Sequence, residues 1–246
     1  MQIIAAMRRE IISHIQIQHT NILPIIGIVS SDTHPLSIVV PLAVNGDALE
    51  YLSNLDGPLR AAAVLNIIQN VAYALEYLHY MVPPIIHGDL HARNILVDAQ
   101  GNALLCDFGL SRIKHEQTRS ATNIVEGGRY RYLAPELLSP SAEYKFRTTP
   151  ASDCYSFAMT ILQLVTLEKP FAEYKYESGA FHAAERGLRP QHPPLEAFGT
   201  LSELIVDLLW TLLTYMWDHE ENKRPGMDTV AYRVGELRSL DIQNYF

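Results

Sequence analysis

His87-Gly88-Asp89-Leu90-His91-Ala92-Arg93-Asn94 is the stretch on which the reading of this chain turns. It sets a carboxylate and a carboxamide, Asp89 and Asn94, five residues apart. Upstream, residues 60–80 carry apolar side chains at Val64, Ile67, Ile68, Val71, Leu75 and Leu78, the spacing of one helix face. Pro83-Pro84 ends that helix, because the residue before a proline is pushed out of the α region. Downstream, Ile95-Leu96-Val97 and Leu104-Leu105-Cys106 flank Asp98-Ala99-Gln100-Gly101-Asn102, which reads as a short hairpin. Asp107-Phe108-Gly109 follows, with Asp107 thirteen residues after Asn94. An amide oxygen and a carboxylate converging from two strand ends suit Mg²⁺, which takes few protein oxygens and leaves room for substrate phosphates. Asp89 is then a second carboxylate, placed to accept a hydroxyl proton.

Outward from this centre, 48% hydrophobic and 19% charged residues describe a globular chain rather than a disordered one. The formal net charge of -8 disfavours nucleic acid and anionic lipid as partners. The two cysteines, Cys106 and Cys154, belong to no CxxC or His-Cys cluster, which fits a reducing compartment and argues against a structural zinc site. The first ten residues place their charges after a short apolar run, the wrong order for a secretory signal. Residues 201–217, the most apolar later segment, are interrupted by Glu203 and Asp207 and make a poor spanning helix. The expectation is a soluble, cytoplasmic chain without membrane insertion.

Residues 3–18 read as a helix carrying Glu10, followed by β-like runs over 22–29 and 36–42. Asn45-Gly46-Asp47 is a turn signal. Residues 153–167 are apolar nearly all round, as in a helix buried in a core, and 201–217 and 228–240 read as further helices. An α+β chain is expected, with a small sheet-containing N-terminal part and a mainly helical remainder.

HxDxxxxN followed by Asp-Phe-Gly resembles the catalytic loop and metal-binding segment of eukaryotic-type protein kinases. Ala134-Pro135-Glu136 resembles the motif that closes the activation segment in that family, and Asp153-Cys154-Tyr155-Ser156-Phe157 the start of its buried helix. Arg224-Pro225 resembles the late Arg that pairs with the motif's Glu, here Glu136. Glu10, with His19-Thr20-Asn21-Ile22-Leu23 after it, resembles the family's αC helix and the stretch behind it. Residues 38–46 resemble the last strand and hinge, and Tyr132-Leu133-Ala134 and Met216-Trp217 point to the tyrosine-kinase-like group.

The resemblance implies a bilobal protein-kinase fold, with residues 1–44 a partial N-lobe and 45–246 a C-lobe. It implies ATP and Mg²⁺ as cofactors and transfer to a protein hydroxyl in signalling, Ser or Thr favoured and Tyr left open. Asp89 is expected to take the hydroxyl proton, Asn94 and Asp107 to hold Mg²⁺, and Arg93 to stabilise the transferring phosphoryl group. Glu10 is the acid that pairs with the family's β3 lysine. Val40 is the gatekeeper, the Pro41 carbonyl and Ala43 amide face the adenine edge, and Asp47 either reaches the ribose or forms a turn.

The chain also departs from the family. It contains no GxGxxG, and only nine residues precede Glu10, where the family has a Gly-rich loop and a Val-Ala-x-Lys strand. An N-terminally truncated small lobe is expected, with room for further domains in a longer parent chain, and with weak Mg²⁺–ATP binding and little transfer. Gly88 replaces the usual Arg that receives an activation-segment phosphate, although Thr118, Ser120 and Thr122 are available for modification. His91 stands where Ser/Thr kinases have Lys, and Arg129 where they have Ser or Thr. Two rivals follow: a pseudokinase or inactive interaction fragment, and a small-molecule phosphotransferase, whose catalytic loop the 87–94 stretch also resembles. Ala134-Pro135-Glu136, Asp153 and Arg224 together favour the protein-kinase resemblance over the second rival.

Overall fold

A buried polar group needs a partner, and the partners of such groups explain how this chain closes up. A computed structural model of the protein describes residues 17–29, 37–108, 129–138 and 147–243. Glu10 and residues 3–16 of the expected first helix, Gly109, Thr118, Ser120 and Thr122 lie outside the described residues, as does the side chain of Arg129, while residues 17–18 are not helical.

In chain order the elements are β1 (Gly27–Val29), β2 (Ser37–Val39), α1 (Ala48–Ser53), α2 (Gly57–Tyr80), β3 (Ile95–Val97) and β4 (Ala103–Leu105). Then come α3 (Pro135–Leu138), α4 (Pro150–Thr166), α5 (Glu177–Glu185), α6 (Glu203–Met216) and α7 (Met227–Gln243). β1 pairs antiparallel with β2 in the register Gly27↔Val39, and β3 with β4 in the register Ile95↔Leu105. This is a mainly helical protein-kinase-type body with two small sheets. The β-like runs expected over 22–29 and 36–42 shrink to three residues each. Ile22 forms an isolated parallel bridge to Leu105 and the Leu23 N–H donates to the Leu105 carbonyl at 3.0 Å, so the start of the first run joins the second sheet instead.

α2 lays its apolar stripe against the core, and its polar interruptions are structural. Asn70 Oδ1 accepts the Ala103 N–H at 3.0 Å, tying the helix to β4. Along the same edge of β4, Asn21 Nδ2 donates to the Ala103 carbonyl at 3.2 Å, and Leu105 N donates to the Asn21 carbonyl at 2.9 Å. The turn between β3 and β4 is built by Asp98, whose Oδ1 accepts from Gln100 N and Asn102 N at 2.9 and 2.8 Å.

α4 is the axis of the molecule. Thr149 caps it through a reciprocal pair with Ser152, Pro150 sits in its first turn, and Leu167 ends it in the left-handed region at φ 61°. Every residue from Ser152 to Val165 is buried, as an all-round apolar helix requires. Burial also pushes the Cys154 thiol and the Tyr155 phenol up to about 12, so neither ionises near neutral pH.

The Arg224 side chain is fully buried and its two Nη atoms donate to the Glu136 carboxylate at 2.7 and 2.8 Å, a bidentate pair. Nη1 also donates to the Ala151 carbonyl at 3.0 Å and Nε to the Asp218 carbonyl at 2.9 Å. One guanidinium thereby joins α3, the start of α4 and the loop before α7. Its carbon also lies 5.2 Å from the Tyr155 ring centroid, with Arg189 at 5.2 Å from the same ring. At the N-terminal end, Ile26, Val29, Leu42 and Val44 are exposed.

Removing one partner of a buried ion pair strands the other, which costs about 3–5 kcal/mol. Arg224→Ala is expected to lose stability on that scale in urea unfolding, and a loss under about 1 kcal/mol would contradict the clamp.

Candidate functional site

The 87–94 loop leaves α2 through Pro83-Pro84 and enters β3, so both its ends are fixed before any side chain acts. Its middle is held from below by α4. Asp153, 1% exposed, accepts the His87 N–H on Oδ2 at 2.7 Å and the Gly88 N–H on Oδ1 at 2.8 Å. A third donor, His79 Nε2 at the end of α2, reaches Oδ2 at 3.0 Å. A buried carboxylate is tolerable only with such a set of donors.

Held this way, the loop takes an unusual backbone shape at Gly88, where φ is 71°. An L side chain there would crowd its own carbonyl, so Gly is the residue that fits without strain. The substitution for the family's usual Arg therefore has a conformational rationale as well as an electrostatic consequence.

His87 is fully buried and both its ring nitrogens are engaged. Nδ1 accepts the Asp89 N–H at 3.2 Å, which places the ring proton on Nε2, and Nε2 donates to the Cys106 carbonyl at 3.1 Å. Burial holds the imidazole below its ordinary pKa, against the pull of the Asp153, Asp89 and Asp107 carboxylates. His87 is thus a neutral strut that ties the loop to the strand end before Asp107, and its ring lies 6.4 Å from that of Phe108.

Asp89 and Asn94 are each 7% exposed. Asn94 Nδ2 donates to the Asp89 carbonyl at 2.8 Å, which turns the amide nitrogen inward and leaves the oxygen as the group available to a cation. The Asn94 carbonyl accepts the Cys106 N–H at 3.0 Å, one step beyond the Ile95↔Leu105 pair. The hairpin thereby sets Asn94 and Asp107 at adjacent strand ends. Asp107 is exposed and sits at φ 61°, an uncommon conformation for a non-Gly residue and one found at functional sites. Among the described residues no group of three or more His, Cys, Asp or Glu side chains gathers as a metal cluster. A carboxamide plus a carboxylate is instead the sparse oxygen set that Mg²⁺ accepts.

The remaining sequence expectations fall around this centre. Arg93 is exposed on a single 3₁₀ turn, Ala92–Asn94. Val40 is exposed, while Pro41 and Ala43 are half-buried in the segment after β2. Asp47 caps α1, its Oδ1 accepting Leu49 N and Glu50 N at 2.9 and 3.0 Å. The turn role weighed for it is thus real and occupies one carboxylate oxygen. Sequence reasoning missed His79, whose signal was a lone His in the last turn of an otherwise apolar helix face. It also missed Arg131, 3% exposed, which holds the carbonyls of Pro170 and Phe171 at 2.6 and 3.0 Å.

Comparison with known proteins places these residues in a wider setting. The family model for protein tyrosine and serine/threonine kinases matches residues 2–234. The chain is 30% identical over 240 residues to serine/threonine-protein kinase VIK of Arabidopsis thaliana, covering 96% of this chain and 51% of that protein. It is 31% identical over 229 residues to human serine/threonine-protein kinase TNNI3K, covering 93% of this chain and 26% of that one. Bovine receptor-interacting serine/threonine-protein kinase 2 is 31% identical over 196 residues, 74% of this chain and 35% of that protein. The chain thus spans between a quarter and half of these relatives' lengths.

Placing a Cβ at φ 71° costs about 1–2 kcal/mol. Gly88→Ala is expected to lower the unfolding free energy by that amount in urea titration, whereas unchanged stability would mean that the loop does not hold this backbone shape.

Proposed function

Because the chain belongs to the protein tyrosine and serine/threonine kinase family, we propose that it transfers the γ-phosphate of ATP to a hydroxyl group of a protein, Ser or Thr before Tyr. The observation that carries this reading is the way Asp89 is held: amide to His87, carbonyl to Asn94, and the loop beneath it to the buried Asp153. A carboxylate whose backbone is pinned at its own amide and carbonyl and from the loop beneath is well placed to orient a hydroxyl and take its proton, and phosphoryl transfer depends on such positioning. Asn94 and Asp107 are the residues that would hold Mg²⁺, which neutralises phosphate charge when bound. The exposed guanidinium of Arg93 supplies further positive charge at the same face.

Val40, Pro41 and Ala43 line the proposed adenine edge. Asp47 reaches the ribose with the oxygen its helix cap leaves over. Glu10 belongs to the same reading as the acid of the family's lysine pair. Residues 1–44 then form the part of the small lobe that this sequence contains, and 45–246 the large lobe.

The relatives are named as serine/threonine-protein kinases, which supports the acceptor preference. Cys106 and Cys154 are thiols rather than half-cystines, in keeping with a reducing, cytoplasmic setting and a signalling role. No described helix is long and apolar enough to cross a membrane.

The test is transfer of labelled γ-phosphate from Mg²⁺–ATP to casein. Asp89→Asn is expected to reduce the rate at least about 100-fold. Asp107→Asn is expected to raise the Mg²⁺ concentration needed for half-maximal rate. Transfer that is indifferent to Asp89→Asn would refute the reading and leave the interaction-fragment alternative.

A further inference from the structure

We propose that His91 is a second acceptor-holding group, which with Asp89 grips the hydroxyl oxygen that receives the phosphoryl group. The proposal rests on the phosphotransfer reading above and adds a catalytic residue to it.

His91 Nε2 lies 3.9 Å from Asp89 Oδ1, with the two side chains only 16% and 6% exposed. That is longer than a direct N–H···O hydrogen bond, whose upper range is about 3.2 Å. It is a span that one oxygen bridges well. An oxygen at about 2.8 Å from each atom would see them at roughly a right angle, as a hydroxyl sees the partners of its proton and of one lone pair. The carboxylate facing Nε2 favours the ring proton on that nitrogen, so the imidazole arrives as a donor. The acceptor hydroxyl then donates to Asp89 and accepts from His91, and its second lone pair is the one turned toward phosphorus.

The ring is held in place for this. Its backbone carbonyl accepts the Asn94 N–H at 2.9 Å. It lies tilted against the Tyr132 ring, with centroids 6.0 Å apart at 53°. Tyr132 is pinned in turn, its hydroxyl donating to Gln163 Oε1 at 2.6 Å, and Gln163 is buried in α4. The same core helix that carries Asp153 under the loop therefore also fixes the wall behind His91. His87 cannot take this part, because both its nitrogens are spent within the loop and on Cys106.

In the transfer step the acceptor oxygen forms the new bond to the γ-phosphorus. The bond from that phosphorus to the bridging oxygen breaks, and its electron pair stays on ADP. The hydroxyl proton passes to Asp89, and His91 keeps its own.

Two variants separate donor from filler. His91→Phe keeps a ring against Tyr132 and removes the N–H, whereas His91→Gln returns a side-chain N–H at similar reach. In single-turnover transfer to casein, His91→Phe is expected to be slower by roughly ten- to hundred-fold. His91→Gln is expected within about five-fold of the parent chain, with ATP affinity unchanged within about two-fold in both. Transfer by His91→Phe at the parent rate, or by His91→Gln as slowly as by His91→Phe, would overturn the proposal. Asp89→Asn run alongside keeps the two readings apart. A parent chain no faster than Asp89→Asn sinks the phosphotransfer reading and this proposal together. A parent chain faster than Asp89→Asn but matched by His91→Phe sinks this proposal alone.

Discussion

The carboxylate of Asp153 is the constraint on which the rest of the site depends. It is a charge taken out of water, at a desolvation cost of several kcal/mol, and it is stable there only because three donors converge on it. Two of those donors are the backbone amides of His87 and Gly88, so satisfying the charge and shaping the loop are one event. The loop bends through positive φ at Gly88, sets Asp89 beside Asn94 and sends His87 inward to Cys106. Asn94 and Asp107 are then presented by a hairpin whose register is already set.

The second anchor lies on the same helix. Arg224 draws α3, the first turn of α4 and the loop before α7 onto one guanidinium, and the Tyr155 ring stacks against it from the body of α4. Gln163, further along α4, holds Tyr132 behind His91. A single buried helix thus supports the Asp89 loop, the wall behind His91 and the Glu136 clamp. In a close-packed core these supports cannot shift independently, which suits chemistry that depends on geometry.

Much of this is legible in residue order alone, because periodicity and spacing are local. The long helix before Pro83-Pro84, the Asp98–Asn102 turn and the all-apolar helix after Thr149 belong to that legible part, whereas the Arg224–Glu136 partnership, 88 residues apart, comes only through the family resemblance. The strands are shorter than their composition suggests, since the β-like residues Ile22 and Leu23 are spent on bonding Leu105 rather than on extending the first sheet. α1 is hidden because Asp47 reads equally well as a turn former and as a ribose contact, and capping uses the same side chain. His79, Asn70 and Arg131 escape because their partners, Asp153, Ala103 and the Pro170 and Phe171 carbonyls, are remote in sequence. A polar residue on a buried face signals that a partner exists, not which one.

The dependence of the loop on Asp153 is measured most directly by native-state hydrogen exchange resolved to single amides. If the carboxylate holds the loop, the His87 and Gly88 amides exchange as slowly as the core of α4 at Ile161, opening only with the whole molecule. Exchange of those two amides at the rate of exposed loop amides, with α4 still protected, would contradict it.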